Sequence, residues 1–485
     1  MRRTLHTFTL IGLTALVAVH AYTMDITNDE AYSFFLLKTE YYRALFGTAN
    51  THWLNSFLMQ IEMLFLGDGV LGLRLHSVVA FPFFCVGVYR LTGFIRNNSL
   101  TIFCYLLILL NPYVLDWFAL ARGYGLAMTF QVWVLYYLFL ISKKDSFSFS
   151  YWKILLLLCA LMLAANLAYF YTFLGVFSVF LLYIFTNKIN YFHNKKIIIL
   201  ALGFVLLLFG AMANLWFVRQ NDPSVYGGNE LVNSIFGTVW EAFFYQANYG
   251  EIAVVLAWLT LIALLVFGGI SGIRFLRNRQ ITPAFSVTVI IAVLLSLNLF
   301  FHLLFDAPYL ASRTALQWWI PGMLLIFFCT DDFSRREAND PRAKVVGTGF
   351  FGNLISLSVS MILAIHLFTQ FNPHIAYEWR DASHSKQIIN DLHKLKAENV
   401  GLNKYVIGVF SNYYSITDSR FFDLKYQHLP EKKLKDCEEK EWGKLSKLDY
   451  IIISSDETIE CLQRRSIQYE IVKQYDNHRV IHLLD

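Results

Sequence analysis

The chain has 485 residues, 56% hydrophobic and only 15% charged, with a mean hydropathy of +0.47 and a formal net charge of +5. Apolar runs long enough to cross a bilayer recur from Leu5 to Phe368, which excludes a soluble globular protein and points to a polytopic α-helical membrane protein. The absence of a Rossmann-type phosphate loop argues against a nucleotide-sugar enzyme, and no nucleic-acid partner is expected.

The first span, Leu5 to Tyr22, follows Arg2 and Arg3, so the positive-inside rule places the N-terminus in the cytoplasm. No small-residue cleavage site follows Tyr22, and the segment reads as an anchor. Three carboxylates, Asp25, Asp29 and Glu30, then emerge at the outer interface, where acids close to hydrocarbon are costly unless hydrated or functional. From Asp29 to Gly69 the pattern predicts two amphipathic helices lying on the membrane. Phe34, Phe35, Leu37, Tyr41, Leu45 and Phe46 give one apolar face. Trp53, Leu54, Phe57, Leu58, Ile61, Leu64 and Phe65 give the other, with a break at Gly47 and Asn50.

Beyond a crossing from about Gly72 to Tyr89, topology follows from five basic loops: Arg90/Arg96, Lys143/Lys144/Lys153, Lys188/Lys195/Lys196, Arg274/Arg277/Arg279, and Arg335 to Lys344. Each apolar stretch between two of them crosses an even number of times. Leu100 to Ile141 turns at Asn111-Pro112 through Arg122, and Ile154 to Phe185 turns at Asn166 to Tyr169. Ile197 to Phe217 and Ile252 to Ile270 flank an outer loop. Phe285 to Leu304 and Thr314 to Phe328 flank a short outer turn, and Val345 to Phe368 ends outside. The sum is about eleven transmembrane helices, N-terminus in and C-terminus out.

The tail, 372–485, is a separate soluble extracytoplasmic domain of α/β type, with strands at Tyr405 to Phe410, Tyr450 to Ser454 and Val480 to Leu483 and a helix from Ser383 to Ala397. Nothing in it reads as catalytic, and a supporting or acceptor-facing role is the expectation. Cys85, Cys104, Cys159 and Cys329 read as small core residues, and Cys437 and Cys461 as a candidate pair. Asp25, Asp29, Glu30, His52, Arg74, Asp116, Arg122, Tyr124, Arg219, Asp306 and Arg313 all map to the outer face. Arg122, in Ala121-Arg-Gly-Tyr-Gly125 at the mouth of a helix, combines a guanidinium with a helix N-terminus for a phosphate; snorkelling to the headgroups is the competing reading.

Three passages carry a family resemblance. Asp29-Glu-Ala-Tyr32 resembles the first-loop acidic motif of the polyprenyl-phosphate-sugar-dependent membrane glycosyltransferases of the GT-C fold, near the protein mannosyltransferases and the lipid A aminoarabinose transferases. Thr51-His-Trp-Leu-Asn55 with Leu66-Gly-Asp-Gly-Val-Leu-Gly-Leu-Arg-Leu-His-Ser77 is similar to that family's His-Pro-Pro-Leu and Gly-Asp…Leu-Arg-Leu-Pro-Ser region, with Trp53 and His76 in place of prolines. Ala121-Arg-Gly-Tyr124 is similar to its Ala-Arg-x-Tyr element, and Arg313 before Trp318-Trp-Ile-Pro321 is loosely similar to a downstream one.

The resemblance implies a GT-C-like catalytic domain over 1–371 that moves a sugar from a polyprenyl-phosphate donor to a lipid, glycan or protein acceptor at the outer face of the inner membrane, with inversion. It implies Asp29 as the base, with Arg122 and Arg313, joined by Arg74, on the leaving phosphate and a hydrogen bond from Tyr124. Glu30 and His52 either orient the acceptor or join Asp29 around a divalent cation; no HExxH or cysteine pair supports a metal, and that cation is the one cofactor left open. The closer rival is a lipid-linked polysaccharide polymerase or ligase. A transporter or flippase is the more distant one, since no internal repeat is visible.

Overall fold

The computed structural model describes residues 2–40, 52–143, 147–186, 195–221, 227–245, 249–339, 348–418, 425–428, 448–454, 456–465, 467–475 and 478–484. It divides into two compact units. The first comprises Met1–Ala18, Leu45–Met59 and Arg74–Phe371, the second Val19–Ala44, Gln60–Leu73 and Asn372–Asp485. The second unit thus takes in parts of the chain between the first two spans as well as the tail.

The helices of the N-terminal part are α1 (Arg2–Thr23), α2 (Asn28–Thr39), α3 (Trp53–Leu66) and α4 (Val70–Thr92), so two helices flank the expected loop break, whose residues Gly47 and Asn50 lie outside the described residues. Next come α5 (Asn98–Leu109) and α6 (Pro112–Phe118), which meet at 56°. Asn111 causes this break: its side-chain oxygen accepts from the backbone N–H of Tyr113 and Val114 at 3.0 and 3.4 Å, and Pro112 supplies a first helical residue with no N–H to satisfy. Helices α7 (Tyr124–Ser142) and α8 (Phe149–Ala165) pack side by side; a 3₁₀ turn, Leu167–Tyr169, then leads into α9 (Phe170–Thr186). Asn166 opens that turn by accepting from Ala168 N–H at 2.9 Å, where the sequence placed a reversal.

Helices α10 (Lys195–Asn221), α11 (Thr238–Phe244), α12 (Gly250–Asn278), α13 (Pro283–Phe305), α14 (Trp319–Asn339) and α15 (Thr348–Gln370) complete the first unit. Helix α13 lies against α9, α12 and α14, and α5 against α14 and α15. The expected crossings fall on helical chain within the described residues, the first residues of the last, 345–347, lying outside them. Among the described residues seven helices are long and apolar enough to cross a membrane, or eight if the bent α5–α6 pair is one span. Helices α3 and α8 are shorter, and α14 trades its second half for charged residues after Thr330. The protein is an integral membrane protein. The four buried cysteines Cys85, Cys104, Cys159 and Cys329 are free thiols, while the candidate pairing of Cys437 with Cys461 lies outside the described residues.

In the second unit a five-stranded sheet runs in the order β2-β1-β3-β5-β4, with β1 (Asn399–Leu402) parallel to β2 (Lys425–His428) and β3 (Tyr450–Ile453), and β5 (Arg479–Leu483) antiparallel to β3 and β4 (Tyr469–Gln474). Leu448, Ile451, Ile453, Leu462 and Ile481 form its core, with Leu462 supplied by the helix Asp456–Arg464. The helix expected at Ser383 to Ala397 is α16 (Ser385–Lys394). Its Asp391 accepts from Tyr475 at 2.6 Å, Lys473 at 3.0 Å and Lys394 at 3.1 Å. Burial raises the pKa of that carboxyl, but these bonds outweigh it and bring it to about 2.

One expectation fails here. Tyr405 to Phe410 is not a strand but most of α17 (Lys404–Val409), continued by a π-turn at Phe410–Tyr414. The cause is Asn403, whose side chain caps the helix by accepting from Val406 N–H at 3.0 Å. A continuous apolar run carries no periodicity, so the cap decides between buried strand and buried helix.

Candidate active site

The first unit builds its polar centre on the turn between α6 and α7. Gly123 has φ +70°, and a Cβ there would strike the Ala165 carbonyl and crowd the Cβ of His52 at 3.1 Å, so only glycine suits this reversal. The turn is clamped from outside by Asn55. Its amide nitrogen donates to Ala121 O at 2.9 Å, and its side-chain oxygen accepts from Gly123 N–H at 2.9 Å and from His76 Nε2 at 2.8 Å. The two flanks of Arg122 are therefore fixed by one side chain, itself 1% exposed. Since the shared oxygen can only accept, His76 carries its proton on Nε2.

Arg122 itself is 1% exposed and Tyr124 4%, the latter with its ring 4.4 Å from Trp117 and 5.5 Å from His52. His52 stands just before α3, 5% exposed, and neither ring nitrogen has a hydrogen-bond partner among the described residues. Burial first, then the positive charges of Arg122 and Arg313, hold its pKa well below the ordinary histidine value. The imidazole is consequently neutral at pH 7, offering one donor and one acceptor.

Arg313 is half-buried on a 3₁₀ helix, Ser312–Trp318, which is tied down at its far end by Gln317. Gln317 donates to Ala168 O at 2.9 Å and accepts from Thr172 Oγ1 at 3.1 Å. At the near end Ser312 N–H donates to Thr238 Oγ1 at 2.6 Å, and Trp318 Nε1 donates to Ile235 O at 2.7 Å. The segment after α10 is thus fastened to the arginine turn. Gly228 and Tyr309 add two backbone bonds of 3.0 and 2.9 Å. Between these pieces lies a cavity of about 480 Å³, floored by glycines and edged by Glu230, Glu241, Asn233, Thr238 and Ser312.

The structure therefore gathers His52, Arg122, Tyr124 and Arg313 in one place. Arg74 is fully buried in the second turn of α4, and Asp116, 1% exposed, accepts from Tyr245 at 2.9 Å. Among the described residues no three His, Cys, Asp or Glu side chains come together as a metal site requires. Asn55, His76 and the Glu230/Glu241 cavity are functional candidates that reading the sequence overlooked. For Asn55 a signal existed: His52, Asn55, Ser56 and Met59 recur at helical spacing and form the buried face of α3, while Trp53, Phe57 and Leu64 are exposed.

Asp29 and Glu30 belong to the second unit. Thr27 caps α2 by accepting from Glu30 N–H at 3.3 Å, and the Glu30 carboxylate accepts in return from Thr27 N–H at 3.0 Å and Thr27 Oγ1 at 2.9 Å. Glu30, 1% exposed, is committed to this capping box, whereas Asp29 beside it is half-buried. Helix α2 rests on α17 and the π-turn, with Phe34 edge-on to Tyr413 at 5.1 Å and Tyr413 OH donating to Asp68 O at 2.6 Å. Asp25 has a different duty: its carboxylate accepts from Lys386 N–H at 3.2 Å in the first turn of α16.

No family model matches the sequence, and no curated protein matches it. Among solved structures, ArnT from Cupriavidus metallidurans in the apo state aligns over 99% of this chain and 98% of its own, with a TM-score of 0.54 at 10% identity. The chain has the GT-C fold. The Archaeoglobus fulgidus oligosaccharyltransferase in its apo form aligns less closely to this GT-C chain, at TM-score 0.45 and 13% identity over 93% of this chain and 69% of that one. The same enzyme tethered by a disulfide to an acceptor peptide with the NVT sequon gives 0.43 and 11% over 92% and 69%.

Proposed function

We propose that this GT-C chain is a glycosyltransferase that uses a polyprenyl-phosphate sugar as donor and works at the extracytoplasmic face of the inner membrane. The observation that carries the reading is the convergence of two guanidinium groups, Arg122 and Arg313, on a neutral, buried His52 in the unit that holds the spans. The planar fork of arginine suits a phosphate. In the reaction an acceptor hydroxyl attacks the anomeric carbon, the bond from that carbon to the phosphate oxygen breaks, and its electron pair leaves with the lipid phosphate. Arg122 and Arg313 stabilise that charge, with Tyr124 as a neutral donor and Arg74 as a buried contributor to the positive field.

Asp29, on its place in the acidic motif, takes the acceptor proton. The polar cavity edged by Glu230, Glu241 and Asn233 suits the hydroxyls of a sugar, on donor or acceptor. The acceptor is a lipid, glycan or protein hydroxyl, and the displacement is single and inverting.

The test is donor affinity in purified protein. Arg122→Ala is expected to weaken binding of a polyprenyl-phosphate sugar by at least about tenfold, from a charge-assisted hydrogen bond worth roughly 1.5–3 kcal/mol. Arg122→Lys should recover part of it, because a point charge lacks the fork. Unchanged donor affinity in both variants refutes the phosphate assignment.

A further inference from the structure

A second set of cations lies at the other end of α7. Arg2 at the start of α1, Arg90 at the end of α4 and Lys143 just past α7 line one cavity of about 330 Å³, walled by the rings of Tyr89, Phe94 and Tyr136. Its lining contains three basic residues and no acidic one. Helix α7 has 19 residues, so at 1.5 Å per residue this cavity is roughly 28 Å from the Arg122 turn, a full hydrocarbon thickness away.

We infer that this basic cavity binds the phosphate of an anionic phospholipid headgroup. Arg2 is held in place rather than trailing into solvent: its Nη2 donates to Tyr89 O at 2.8 Å, and its guanidinium lies 4.6 Å over the Tyr89 ring. That ring is itself stacked on His6 at 4.2 Å, and His6 Nδ1 meets Tyr105 OH at 2.8 Å. One carbonyl engages one of the five guanidinium N–H donors, and the fixed plane aims others at the cavity. Lys143 Nζ sits 4.4 Å from the Phe94 ring on the opposite wall. Among the described residues, Asp331 accepts from the backbone N–H of Arg96 and Asn97 at 3.2 and 2.9 Å, and Asp332 pairs with Arg274 at 2.5 Å.

Three cations around one cavity with no acidic residue in its described lining attract an anion, and phosphate matches guanidinium and ammonium together. The source follows from position. The cavity opens where three helices end, and an aromatic rim beside basic residues is what a headgroup region meets, with acyl chains running down the neighbouring apolar faces. Soluble phosphate would need no such rim.

The experiment uses the full-length protein in phosphatidylcholine nanodiscs doped with phosphatidylglycerol, with retained lipid counted by native mass spectrometry. Phosphatidylglycerol is expected to be retained over phosphatidylcholine. Arg90→Ala with Lys143→Ala, both at exposed positions that folding does not require, should weaken retention about thirtyfold, from on the order of fivefold per basic side chain near an anionic surface. Arg277→Ala, at an exposed end of α12, should leave it unchanged. Retention untouched by the double variant, or an equal loss in Arg277→Ala, overturns the site. Displacement of the lipid by inorganic phosphate at equal concentration overturns the lipid as its source.

Discussion

His76 stands where the motif it resembles carries proline, and that departure gains a function in this chain: its Nε2–H is the second donor to Asn55, the side chain that fixes both flanks of Arg122. The motif thus led to Arg122, but the residues that position it could not be read from it. Ala121 and Asn55 are 66 residues apart, and a single sequence gives no pairing signal over that distance. The acidic loop separates in a similar way. Asp25, Asp29 and Glu30 look alike in composition, yet the structure gives Asp25 a backbone amide to cap and Glu30 a capping box. Asp29 is the one proposed for chemistry. Asp29→Asn is expected to lower transfer by about a hundredfold to ten-thousandfold at unchanged protein level, the usual contribution of a general base. Asp25→Asn should retain most activity, because asparagine caps a helix as well as aspartate does. Turnover assays on the two variants decide, and near-normal transfer by Asp29→Asn removes it from the mechanism.

His52 gives a pH dependence at the same scale. Its folded pKa lies well below the value near 6.5 that it has when unfolded, so below about pH 6.5 the unfolded chain takes up a proton that the folded chain refuses. Its contribution to stability is therefore complete above that pH and declines as the pH falls. Melting temperature is expected to drop between pH 7.5 and 5.5 more steeply in the wild type than in His52→Gln. Parallel curves would mean that the folded protein takes up this proton as readily as the unfolded chain.

Among the elements, the turn from α6 to α7 is the most constrained. Asn111-Pro112 announced the break in the sequence, since each residue type has a conformational reason to be there, while the reversal at Gly123 emerged with the structure. Tyr405 to Phe410 misled, because β-branched and aromatic residues in an unbroken run suit a buried helix as well as a strand, and Asn403 settled the matter by capping. Gly123→Ala is expected to cost about 1–3 kcal/mol, from a left-handed backbone and the contact with the Ala165 carbonyl. Thermal denaturation measures it, and donor affinity should fall with it as Arg122 shifts. A variant with wild-type stability would show that the turn has room to relax.

For the whole molecule, the apolar runs made the spans legible, since a bilayer imposes length and composition on any helix that crosses it. The number of crossings was less legible, because α3 and α8 are short for a span and α14 ends in charge, and seven described helices, or eight with the bent α5–α6 pair counted as one, are long and apolar enough. Parity of basic loops predicts opposite sides for the N-terminus and the tail. In a cysteine-free background, Glu398→Cys is expected to react with an impermeant maleimide in intact spheroplasts and Arg3→Cys only after permeabilisation; both positions are exposed. Labelling of both without permeabilisation would overturn the placement on opposite sides.

Helices α10 and α12 expose rows of large apolar side chains, among them Leu206, Phe209 and Trp216 on one and Val255, Leu265 and Leu276 on the other. Lipid tails accept any of leucine, valine, phenylalanine or isoleucine at such positions, so selection there acts on solubility in oil and hardly on identity. Exchanges among apolar residues on these faces are therefore expected to leave the fold intact, whereas at Gly123 and Asn55 one shape fits. The GT-C fold shared with ArnT from Cupriavidus metallidurans at 10% identity over 99% of this chain shows how little of a membrane-embedded sequence the architecture itself dictates.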